Sequence, residues 1–139
     1  MIDLILDRVP INVYFKDKDS RFMRANRSTA QRVGAGTIAN LIGKRDHDFF
    51  EKEHADFSRA RELEIMETEV GQEEKLEHEI WGDGHESWSL VTKKVWRGLN
   101  GELLGTFGLT HDVTELIETE RNLEQIAEKL RVVNQEISE

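Results

Sequence analysis

Five histidines, no cysteine and a few glycine-bearing segments carry most of the chemistry this chain could do. HEIWGDGH, residues 78–85, opens like a zinc-protease motif. That motif needs its second histidine four positions after the first, so that both imidazoles leave one helix face beside a glutamate base. Gly82 stands there instead, and Gly82 with Gly84 signals a turn, so a chance site is the most it offers and no metal is assigned. GAGTIANLIGKR, residues 34–45, ends in Gly43 and Lys44 as a phosphate-cradling loop does. Ile38 stands where its first glycine belongs, however, and Arg45 where a hydroxyl is required. No GxSxG elbow occurs. The lack of cysteine removes thiol catalysis, thiolate zinc, disulfides and cysteinyl flavin adducts together. No catalytic residue emerges, and the segment is expected not to be an enzyme by itself.

His78 is the exception among the polar residues. It alternates with Leu76 and Ile80 against Lys75, Glu77 and Glu79, a period of two that puts it on the inward face of a strand. An inward imidazole needs a partner: a backbone carbonyl or Thr92 in the structural case, a ligand in the sharper one. His54 lies among charges at the start of a long helical segment, His47 and His85 fall in loop sequence, and His111 precedes a hinge; these are expected to face solvent.

The elements that must position such residues follow from changes of period. Val13–Lys16 and Phe22–Ala25 flank KDKDS, a hairpin pattern. ANRSTAQRVGAG and TIANLIGKRDHDFF read as short helices and loops stopped by glycine. Glu51–Val70 has neither Pro nor Gly and spaces Ala60, Leu63, Met66 and Val70 three or four apart, a long helix. Three strands follow, divided by GDGHE and GLNGE, with Trp88, Leu90, Thr92 and Trp96 on one face of the middle one. Strands joined by short turns pair antiparallel, and helices inserted between the second and third pack on one face. The fold expected is α+β: a five-stranded antiparallel sheet with a helical cap and a C-terminal exit helix. Its hollow would be lined by Leu63 and Met66 of the cap and by Leu76, His78, Ile80, Trp88, Leu90, Thr92 and Phe107 of the strands.

The exit helix has its own logic. Asp112, with Glu115 three residues on, fits an N-cap and capping box; Thr114 is the alternative cap. Leu116, Thr119, Leu123, Ile126, Leu130, Val133 and Ile137 then repeat three and four apart, a coiled-coil seam. A lone helix of this kind leaves its apolar stripe in water, so a homodimer is expected, with the N-terminal MIDLIL contributing. The domain division is 1–113 and 114–139, and the seam runs on to Glu139 as it would in a piece of a longer protein. The charge of -9 argues against nucleic acid, and no apolar run approaches the length of a membrane span, which suggests a cytoplasmic location.

VYFKDKDSRFMRAN with its Lys16, Asp17 and Asn26, LIGKRDHDFF, and the run from Thr92 through NGELLGTFGLTHDVTE together resemble the bacterial branch of the PAS superfamily, over about residues 9–115. Trp96 replaces a common proline and Val113 a common isoleucine. The resemblance implies a PAS fold and a sensory or dimerisation module of a two-component or cyclic-dinucleotide signalling protein, with an output domain downstream. In it a change in the core would pass through the hinge Asp112, Val113 and Thr114 to the coiled coil. The alternative is a sensor that binds a small molecule in the hollow. Haem-binding relatives place a histidine on the long cap helix; here only His54 is on it, beside Glu53 and Asp56, which argues against haem.

Overall fold

The computed structural model describes residues 11–138; MIDLIL lies outside the described residues. Five strands, β1 (Asn12–Asp17), β2 (Phe22–Ala25), β3 (Gln72–Ile80), β4 (Glu86–Arg97) and β5 (Leu103–Asp112), form one sheet in the order β2-β1-β5-β4-β3. Every pairing is antiparallel. Between β2 and β3 run α1 (Arg27–Arg32), α2 (Ile38–Leu41), a 3-10 turn (Asp46–Asp48) and α3 (Lys52–Thr68), and α4 (Thr114–Ser138) leaves the last strand. This is the α+β sheet with a one-sided cap expected from the sequence. No helix among the described residues is long and apolar enough to cross a membrane.

Local chemistry explains the corners. In the first hairpin Asp17 Oδ1 accepts from the amides of Asp19 and Arg21, both at 2.9 Å, replacing backbone partners with a side chain. Asn26 does more: its Oδ1 accepts from the Thr29 amide at 3.2 Å, capping α1, and from the Val13 amide at 3.1 Å, fixing the helix to β1. Phe22, Ala30 and Leu41 form the apolar core under the cap, with Tyr14, Val33 and Phe49 packed on it. Gly108 lies where any Cβ would strike the Tyr14 ring, so the glycine is what lets that ring cross β5.

Two faces differ from the sequence expectation. On β3 the alternation is present with the opposite sense: Glu79 is 5% exposed, whereas Leu76 is 45% exposed and His78 faces outward. On α3 the buried positions are Ala55, Ser58, Glu62 and Ile65, while Ala60 and Leu63 lie exposed and Met66 half-buried; Val70, expected on the helix, lies exposed beyond its end at Thr68. The reason is the same in both: carboxylates that have buried cationic partners go inside, and apolar neighbours take the outer side.

Candidate functional site

Beneath the cap lies a cavity in which about 40 Å³ is open to the centre of a water molecule. Its walls come from β1 (Asn12, Tyr14, Lys16), β2 (Phe22), α1 and the residue after it (Thr29, Arg32, Val33), the 3-10 turn (Asp46), Phe50, α3 (His54, Ser58), β3 (Glu77, Glu79), β4 (Val91, Lys93) and β5 (Thr110). Each strand contributes alternate residues, as the pleat requires.

Two ionic groups sit on these walls. In the first, Lys16 Nζ donates to Asp46 Oδ2 at 2.7 Å and to Glu62 Oε2 at 2.9 Å, and Lys93 Nζ donates to the same Glu62 oxygen at 2.9 Å. Lys16, Glu62 and Lys93 are 1%, 1% and 4% exposed. Burial alone would raise the Glu62 carboxyl, but the two ammonium groups outweigh it and hold it down to about 2. Burial would lower Lys16 and Lys93; their carboxylate partners, Asp46 and Glu62 on Lys16 and Glu62 on Lys93, raise both instead. Such a group is stable only because every charge has a partner.

The second group joins the cavity to the end of the sheet. Arg32 Nη2 donates to Glu79 Oε1 at 2.6 Å, to Ser89 Oγ at 2.8 Å and to Asp112 Oδ2 at 3.1 Å. Glu79 Oε1 also accepts from the hydroxyls of Ser87 and Ser89 at 2.8 and 2.7 Å. Trp81 borders the group, donating from Nε1 to Ser87 Oγ at 2.9 Å and lying 5.1 Å from the guanidinium. Asp112 in turn accepts the Thr114 amide through Oδ1 at 2.9 Å; burial would raise its carboxyl, but Thr114 and Arg32 hold it low. The Trp88 amide donates to Thr114 Oγ1 at 2.8 Å, and the Val113 amide donates to the Trp88 carbonyl at 2.8 Å. The hinge residues Asp112, Val113 and Thr114 are thus pinned to α1 and β4.

The helix start differs from expectation by one residue. The Ile117 amide donates to the Val113 carbonyl at 2.9 Å, so Val113 holds the cap position and the Asp112 and Glu115 pair is not a capping box. Asp112 still satisfies a first-turn amide, from one place earlier.

None of Leu63, Met66, His78, Trp88, Leu90, Thr92 and Phe107 lines the cavity. His78 stacks on Trp88 with ring centroids 4.5 Å apart and lies 2.8 Å from Glu86, on the outer sheet face. Phe107 is there too, 5.8 Å from Phe15, which lies 5.2 Å from Trp96. Leu63 is 46% exposed on the far side of α3. His54, expected in solvent, is half-buried in the cavity wall, and burial lowers its imidazole. The space beside it, about 40 Å³, is far too small for a porphyrin. Among the described residues no cluster of His, Asp and Glu is placed to hold a metal ion. Sequence reasoning missed Lys16, Glu62, Glu79 and Lys93; the available signal was the small Ser87 and Ser89 sharing parity with Lys93, a polar face of β4 opposite the aromatic one.

Residues 6–118 match the family described as PAS fold. A diguanylate cyclase of Vibrio cholerae serotype O1 is 24% identical over 130 residues, 90% of this chain and 39% of that protein. The chain therefore spans well under half of that relative. Among solved structures, VqmA of Vibrio cholerae in a complex with ligand and DNA superposes with a TM-score of 0.70 at 23% identity, over 81% of this chain and 51% of the other. The PAS domain of a protein from Colwellia psychrerythraea gives 0.66 at 16% identity, over 81% and 93%.

Proposed function

The chain belongs to the PAS fold family, and from that premise we propose that it is the sensory and relay module of a larger signalling protein. The observation that carries this reading is Arg32, whose guanidinium is shared between Glu79 in the cavity wall and Asp112 at the foot of the exit helix, the latter 80 residues from Arg32 in sequence. Whatever changes the hold of Glu79 on Arg32 changes the hold of Arg32 on Asp112, and with it the first turn of α4. The free energy available for relay is the difference in affinity for the two arrangements.

The exit helix is the output end. Leu116, Leu123, Ile126, Leu130 and Val133 are 65%, 62%, 52%, 59% and 48% exposed, an apolar stripe on a 25-residue helix that a second copy would cover as a parallel coiled coil. Division into 1–113 and 114–139 fits this reading, as does an output domain of the diguanylate cyclase kind, given the similarity to one. With a formal charge of -9, nucleic acid is not the partner proposed for these residues.

Hydrogen exchange tests the relay without a ligand. Arg32→Met should speed amide exchange over residues 113–123 about tenfold or more while β1 and β5 keep their protection, as local opening at the hinge requires. Unchanged exchange in that segment would overturn the relay.

A further inference from the structure

We propose that the cavity takes a small uncharged molecule with a hydrogen-bond acceptor, such as a carbonyl oxygen, received by Lys93 Nζ, and that it rejects the carboxylate of the same size. The proposal rests on the sensory reading above and adds the ligand class to it.

The acceptor follows from unused donors. An ammonium group can give three hydrogen bonds. Lys93 Nζ gives one, to Glu62 Oε2, although the residue is 4% exposed and lines the cavity. Lys16, beside it, gives two. The ammonium therefore keeps hydrogens for a ligand oxygen or ring nitrogen, and a hydrogen bond made there, away from water, gains more than the same contact at the surface. Across the space the Tyr14 hydroxyl, 3.2 Å from Thr110 Oγ1, offers a second polar contact.

The absence of net charge follows from how the ionic groups close on themselves. Three cations, Lys16, Arg32 and Lys93, meet four carboxylates, Asp46, Glu62, Glu79 and Asp112, each in direct contact with an opposite charge. Of the remaining titratable groups on the wall, Glu77 is half-buried and adds negative charge. Burial lowers His54 and so favours its neutral form. An entering carboxylate would find every cation engaged and a surplus of negative charge, and it would have to shed its water for no new countercharge. A carbonyl compound needs none. The open space, at about 10–15 Å³ for each water-sized group, holds about three such groups, which sets the size class.

Calorimetric titration of the whole chain with matched pairs tests this: acetamide against acetate, and hydroxyacetone against glycolate. At least one uncharged member should bind, with its carboxylate at least about tenfold weaker. Lys93→Met should weaken the uncharged member about 10- to 100-fold with circular dichroism unchanged. Glu62→Gln, which leaves Lys93 without its carboxylate and lowers the surplus of negative charge, should narrow the preference within the pair; it also serves if Lys93→Met does not fold. Equal or tighter carboxylate binding by the wild type, unaltered binding by Lys93→Met, or no binding in any pair would each overturn the ligand class. The relay is decided separately by hydrogen exchange in Arg32→Met, which involves no ligand.

Discussion

The two faces of the sheet distribute their residues in opposite senses. Toward the cap stand Lys16, Glu79, Ser89 and Lys93, at 1%, 5%, 0% and 4% exposure; on the outer face Leu76 and Leu109 are 45% and 38% exposed beside Trp88, Trp96 and Phe107. In an ordinary two-layer fold the apolar side would be the inner one. The cap side thus combines a small apolar core with charges that hold one another in place around a cavity, while the outer side and the α4 stripe leave apolar residues exposed.

The largest expected effect comes from breaking the inner face. Glu62→Met leaves Lys16 with Asp46 and Lys93 with no carboxylate, a buried uncompensated charge that should cost about 3–5 kcal/mol in urea denaturation. Glu62→Met with Lys93→Met removes both charges and should recover most of that loss. The same carboxyl sets an acid limit. Its folded value of about 2 lies below its ordinary 4.5, so its contribution is fully present above about pH 4.5 and is lost as pH falls toward about 2. The double variant should lack this part of the acid transition. If Glu62→Met alone left stability unchanged, the ionic groups would be ornamental and the comparison of faces would fail.

An intermediate effect tests whether apolar surface outside the core serves association. Leu123→Glu with Leu130→Glu places charges in the seam without touching the cavity. Sedimentation should show loss of a dimer at tens of micromolar, about the range where a short seam of this size matters, while the core unfolds within about 0.5 kcal/mol of wild type. A monomeric wild type, or a double variant that stays dimeric, would move the association surface elsewhere.

How far the sequence reaches is clear from particular elements. The strands of the first hairpin, the long cap helix, the turns at Gly82–Gly84 and near Gly101, and the start of α4 all follow from period and turn residues, and the structure has them within a residue or two. The site does not follow, for two reasons. Alternation on β3 gives two faces but not which one is inside, and assigning the apolar set inward put His78 where Glu79 belongs. Partners decide the question: Glu62 is buried because Lys16, 46 positions away, and Lys93, 31 positions away, meet it, and no local pattern announces such pairs. The cap helix misled in the same way, since its apolar residues are scattered around it and the inner stripe is defined by Ala55, Ser58, Glu62 and Ile65.

The smallest effect is the sharpest for the comparison. His78 draws attention in the sequence as an inward polar ring, and its place on the outer face gives it a different part: it stacks on Trp88 at 4.5 Å, and the Arg121 guanidinium of α4 lies 5.0 Å from the same indole. The ring pair and the Glu86 contact are both partly exposed, so His78→Ala should cost about 0.5–1 kcal/mol and no more. Because the imidazole is separated from the cavity by the sheet, the same variant should leave the affinity for any cavity ligand within about twofold, less than one hydrogen bond is worth. Lys93→Met, on the inner face of the neighbouring strand, should do the reverse, losing binding. Measuring melting and binding for both variants therefore sorts the two faces directly. A His78→Ala protein that keeps its stability but loses binding would return that histidine to the site and remove the basis for separating the faces.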